Sequence, residues 1–106
     1  MKYLINLYNI EFDHLSQIHD LFKGNYHVIS HHMKSDHRFI ESIIVSSLRN
    51  ISDIRDIIEI LTSKDHTEIF VADITNSSTS WSFRDSRENN MVYDFIKHRS
   101  ISHQNP

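Results

Sequence analysis

The chain has 106 residues, enough for one domain with a modest core. Apolar residues make up 39% and charged residues 24%, the balance of a globular chain and too apolar for a disordered one. The net charge of −3 with histidines neutral is not the basic footprint of a nonspecific nucleic-acid binder. Nine histidines, which titrate at roughly pH 6–7, would make the chain more cationic in mild acid. The lack of cysteine removes disulfides, thiolate metal sites and thiol catalysis. A single glycine and a single proline leave no room for a phosphate-cradling glycine loop or a dinucleotide fingerprint. Polar Asn6, Asn9, Glu11 and Asp13 interrupt any signal-peptide core, and no run approaches the ~20 apolar residues of a membrane span. A cytoplasmic protein that makes no contact with a membrane is the expectation.

Tyr3 to Ile10 reads as a first strand, rich in strand formers and nearly continuous in apolar character. Phe12, Leu15, Ile18, Leu21 and Phe22 then recur at helical spacing. Lys23-Gly24-Asn25 closes this helix with positive charge and the chain's glycine at its C-terminal end. Tyr26 to His32 alternates as a second strand, and Met33 to Arg38 reads as a polar connection. Phe39 to Ser46 is a third strand, with Phe39, Ile43 and Val45 on one face and Ile40 and Ile44 on the other. Strands two and three form a hairpin. Ile51, Ile54, Ile57, Ile58 and Leu61 make a second helical stripe, which Asn50 or Ser52 can cap. Lys64-Asp65-His66 is a turn, and Glu68 to Ile74 a fourth strand.

The order is β-α-β-β-α-β: an α+β, ferredoxin-like sandwich with a four-stranded antiparallel sheet and two helices on one face. Residues 1–84 are read as that domain and residues 85–106 as a partly helical extension with a frayed end. Trp81 and Phe83 alternate with Ser82 as a short fifth strand, and Met91, Val92, Phe95 and Ile96 have helical spacing. A core of this size gains from burying an edge or a helix face against a second copy, so a homodimer is expected.

One resemblance spans roughly residues 1–84. It rests on Met1-Lys2-Tyr3-Leu4-Ile5, on Tyr8-Asn9-Ile10, and on Ile51-Ser52-Asp53-Ile54-Arg55-Asp56. It also takes in residues Asp65 to Ile74 followed by Ser80-Trp81-Ser82-Phe83. These segments resemble the SinR-family proteins, which belong with the small CRISPR-associated ferredoxin-like nuclease subunits. The resemblance implies a dimer and a metal-dependent endonuclease acting on RNA or DNA, with Mg2+ as the ion. In that group an aspartate at the end of strand one helps bind the metal at the dimer axis. Asn9 stands in its place here. An amide oxygen is an uncharged, weaker ligand for a hard cation, so hydrolysis is in doubt. Asp13, one helical turn on, is the other candidate catalytic residue.

Other clusters each have a chemical and a structural reading. His27, His31 and Asp36 are the candidate metal ligands, in a stretch that also holds His32 and His37. Strict strand alternation would put His27, Ile29 and His31 on one face. The commoner use of such residues is a solvated hairpin edge, and no zinc-motif spacing is present. Asn9, Glu11 and Asp13 form the polar end of strand one and could cluster at a dimer axis, but a strand-to-helix turn with Asp13 or Asn9 as the N-cap is the commoner use of such residues. Trp81 and Phe83 are read as an interface, with base stacking the alternative. Arg84, Arg87, Lys97, His98 and Arg99 make the tail the most basic region, although Asp85, Glu88 and Asp94 interrupt it. No Gly-x-Ser-x-Gly elbow marks a nucleophilic serine.

Two functions follow as expectations. One is a nuclease-like dimer with a degenerate metal site. The alternative is a non-enzymatic interaction protein, antitoxin-like or a phage-encoded inhibitor such as an anti-CRISPR, that binds a protein partner. A histidine-based metal or pH sensor is a third and weaker idea.

Overall fold

The computed structural model describes residues 1–76. The elements run β1 (Lys2–Glu11), α1 (Phe12–Leu21), β2 (Tyr26–Ser35), β3 (Arg38–Ser46), α2 (Ile51–Leu61) and β4 (Glu68–Asp73). Every strand pair is antiparallel and the sheet order is β2-β3-β1-β4, the ferredoxin-like arrangement. The expected fifth strand, the C-terminal helix, residues 85–106, Trp81 and Phe83 all lie outside the described residues. Among the described residues no helix is long and apolar enough to cross a membrane.

The core lies between the sheet and the helices. Tyr3, Ile5 and Leu7 of β1 and Ile43 and Val45 of β3 meet Leu15, Ile18 and Phe22 of the first helical segment and Ile54 and Ile58 of α2. Period-two and period-3.6 stripes therefore converge on one layer. Asn50 caps α2 by accepting the Asp53 N–H at 2.9 Å. Glu11 occupies the corresponding place before α1 without a side-chain cap bond. The Phe12 N–H instead donates to the His37 carbonyl at 3.0 Å, tying the β2–β3 turn to the start of α1. Gly24, at φ +79°, supplies the left-handed residue that turns the chain into β2.

Among the described residues the sheet has three register slips, at Tyr8/Ile10, Val28/Ser30 and Met33/Ser35, and the first two set where the candidate polar side chains point. In β1 the pairing with β3 slips between Tyr8 and Ile10, leaving Asn9 as the extra residue at φ +71°. This bulge returns Ile10 to the core, where it is fully buried. In β2 the register slips again between Val28 and Ser30. The hairpin is also longer than the sequence pattern indicates. The stretch read as a polar connection is strand out to Ser35, which pairs with Arg38 across Asp36 and His37. Backbone pairing thus carries this segment, in which His32, Met33, Lys34 and Ser35 are all exposed.

Candidate functional site

The polar corner of the fold lies where β1 ends, α1 begins and the loop before β4 passes. Asp65 is its centre, with 1% of its surface exposed. One carboxylate oxygen, Oδ2, accepts the Glu11 N–H at 3.2 Å and lies 2.7 Å from His14 Nδ1. The other, Oδ1, lies 3.8 Å from Arg38 Nη1, which also donates to the Asp65 carbonyl at 3.1 Å. Glu11 Oε2 is 4.0 Å from His14 Nδ1. One donor atom from each of Glu11, His14 and Asp65 lies within 4.8 Å of the others. A buried carboxylate is costly unless hydrogen-bonded, and these contacts keep Asp65 satisfied.

Asn9 belongs to the same corner. Its Nδ2 donates to the Asp65 carbonyl at 3.1 Å, and its Oδ1 accepts from Lys34 Nζ at 3.5 Å. The Asn9 carbonyl accepts the Thr67 hydroxyl at 3.1 Å. Asparagine is among the few non-glycine residues that tolerate the left-handed region, so backbone and amide both suit this position.

A second polar cluster sits inside the helix–sheet layer. Glu41 has the same strand parity as Ile43 and Val45 and is fully buried. His19 Nε2 of α1 lies 2.5 Å from its Oε2, and His31 Nδ1 of β2 lies 2.7 Å from its Oε1. A carboxylate accepts, so both imidazoles donate. The His19 ring stacks on Tyr26 and the His31 ring on Phe39. Three elements are thereby pinned to one carboxylate.

At the opposite end of the sheet, burial pushes the Lys2 ammonium down to about 8. Buried Tyr3 donates to the Arg49 carbonyl at 2.6 Å, and its phenol is raised by burial and by Asp73 and Asp53. Hydrogen bonds from Thr75 hold the Asp73 carboxyl below its usual range.

The residues singled out from sequence are distributed differently from a single site. Asn9 is at the corner. Asp13 is exposed in the first turn of α1 and is not one of the three clustered donors. His27 pairs with Ile44, on the face away from the helices, whereas His31 pairs with Glu41, on the helix face. The β2 bulge between them breaks the alternation that would have aligned the two rings. Asp36 is exposed at the hairpin turn, 3.6 Å from His37. The structure does not bring His27, His31 and Asp36 together. Glu41, His19, His14 and Asp65 are the polar residues that sequence reasoning missed. Parity with Ile43 and Val45 signals Glu41, while nothing local marks Asp65 as buried.

No family model and no curated protein matches the chain. Solved structures do. A formyltetrahydrofolate deformylase from Burkholderia mallei ATCC 23344 superimposes with a TM-score of 0.51 and 11% identity, covering 70% of this chain and 28% of its own. One from Pseudomonas putida KT2440 has a TM-score of 0.50 and 10% identity, covering 89% of this chain and 37% of its own. The chain spans about a third of these enzymes. At such identity the likeness is one of fold, and it agrees with the ferredoxin-like topology.

Proposed function

We propose that the chain is a dimeric scaffold of the kind its sequence resembles, the small CRISPR-associated nuclease-like proteins, and that it binds without hydrolysing a phosphodiester. The observation that carries this reading is the use made of Asn9. Where the resembling family has its strand-one aspartate, this residue holds a left-handed bulge and spends its amide on the Asp65 carbonyl and Lys34. Metal-assisted hydrolysis needs an ion held by charged oxygens beside the scissile phosphate. Of the nearby aspartates, Asp65 is buried, with the Glu11 N–H, His14 and Arg38 around its carboxylate, and Asp13 faces solvent outside that cluster. Light scattering on the full chain is expected to give the mass of two chains. Incubation with labelled RNA and DNA in Mg2+ or Mn2+ is expected to leave both intact. A monomer at all concentrations, or cleavage that disappears in Asp13→Ala, would overturn the proposal.

A second reading, a protein-binding inhibitor or antitoxin-like protein, draws on a different observation. The net charge is −3, and Leu48 and Ile60 are 81% and 75% exposed. An acidic surface with protruding apolar side chains suits a protein partner better than a phosphate backbone. Fluorescence anisotropy with labelled oligonucleotides at low salt separates the two: saturable binding supports the nucleic-acid scaffold, and its absence supports the protein partner.

A further inference from the structure

We propose that Glu11, His14 and Asp65 form a binding site for one divalent transition-metal ion of the Zn2+ type, a site that clamps the start of α1 to the loop before β4. It goes beyond the scaffold reading and assigns the ion no part in hydrolysis. The donor set is one imidazole and two carboxylates, drawn from stretches more than fifty residues apart and brought together by the fold. Mixed nitrogen and oxygen donors suit a borderline ion better than Mg2+ or Ca2+, which favour all-oxygen shells.

The geometry is close to what such an ion requires. Metal–donor distances of about 2.1 Å set neighbouring tetrahedral donors roughly 3.4 Å apart. The His14 Nδ1–Asp65 Oδ2 separation of 2.7 Å would open by about 0.7 Å, and the His14 Nδ1–Glu11 Oε2 separation of 4.0 Å would close by about 0.6 Å. The third pair, Glu11 and Asp65, lies within 4.8 Å and would have to close as well, a movement that falls on the Glu11 side chain, which is 41% exposed, while Asp65 is 1% exposed. The ion would replace the proton now lying between His14 Nδ1 and Asp65 Oδ2, and the imidazole would carry its hydrogen on Nε2. The Glu11 N–H would stay on Asp65 Oδ2 and orient the carboxylate, as outer-shell donors do.

Two positive features oppose a cation here. Arg38 lies 3.8 Å from the other Asp65 oxygen, and the α1 N-terminus carries the positive end of its dipole. Arg38 bonds the Asp65 carbonyl and approaches Oδ1, whereas His14 meets Oδ2, and the two carboxylates supply the compensating charge.

The test is isothermal titration of chelator-treated full chain with ZnCl2, alongside visible absorption with CoCl2. One ion per chain is expected, with a Co2+ band of a nitrogen–oxygen site and a raised melting temperature. His14→Gln should weaken binding at least tenfold, and Glu11→Gln should weaken it severalfold. Both residues are partly exposed, so the variants retain the fold, which circular dichroism verifies. His32→Gln, at an exposed β2 histidine that pairs with Ile40 on the face away from the helices, should bind as the parent does. No binding at millimolar Zn2+, or binding that His14→Gln leaves unchanged, would overturn the site. Neither result bears on the dimer or on cleavage, so the two proposals fail separately.

Discussion

Replacing Asn9 by aspartate restores the acid of the resembling family and is expected to cost stability. The new carboxylate cannot donate, so the Asn9 Nδ2–Asp65 carbonyl bond of 3.1 Å is lost, worth about 1 kcal/mol. A negatively charged oxygen then faces that carbonyl beside the buried Asp65, adding a repulsion of about 1 kcal/mol. Lys34, 3.5 Å from Asn9 Oδ1, gains an ion-pair partner, but an exposed pair returns only about 0.5 kcal/mol. The left-handed backbone adds little, since aspartate tolerates it nearly as well as asparagine. The balance is a loss of about 1–2 kcal/mol, a fall in melting temperature of roughly 5–10 °C for a domain this small. Urea titration of parent, Asn9→Asp and Asn9→Gly measures it, with glycine keeping the backbone and losing only the amide contacts. An Asn9→Asp protein as stable as the parent would refute the structural role given to this amide.

Glu41→Ala removes the acceptor of two imidazoles and opens a cavity in the core, and should cost about 3 kcal/mol in urea unfolding. Glu41→Leu, which refills the volume and leaves partly exposed imidazoles to water, should cost about 1 kcal/mol. Lys2 gives a pH dependence of definite sign. Its folded pKa of about 8 lies below the ordinary lysine value of 10.5, so across that window the unfolded chain binds more protons and stability rises with pH. The gain from pH 7.5 to 9.5 should be about 2 kcal/mol, and Lys2→Met should abolish it. The raised Tyr3 phenol acts in the opposite direction, where the unfolded phenol ionises near the ordinary tyrosine value of 10.0, so the comparison stops at pH 9.5. Ile58→Ala, at a fully buried position of α2, should cost about 3 kcal/mol by thermal unfolding.

Both helices were legible because each displays one apolar stripe between clear boundaries. The Phe12 to Phe22 and Ile51 to Leu61 stripes match α1 and α2 to within a residue. The β3 faces followed from simple alternation, which placed Phe39, Ile43 and Val45 together. The hairpin was harder, because residues 33–35 are polar and exposed yet still paired, and alternation cannot report a strand held by backbone bonds alone. The bulges at Asn9 and near Ile29 were not legible. A single extra residue leaves no compositional mark, yet it decides that His27 and His31 face opposite ways and that Ile10 reaches the core. Of the corner, Asn9 and Glu11 were in view as the polar end of strand one. Asp65 lies in a charged turn, and its burial arises from contacts with Glu11, His14 and Arg38, more than twenty residues away in sequence.

The central claim is that the end of β1 serves structure and that the chain binds without cutting. A time course of parent protein with end-labelled single- and double-stranded RNA and DNA, in Mg2+ and in Mn2+, tests it most directly. Substrates unchanged at a molar excess of protein are the predicted result. Metal-dependent products that appear with the parent and vanish with Asp13→Ala would contradict it.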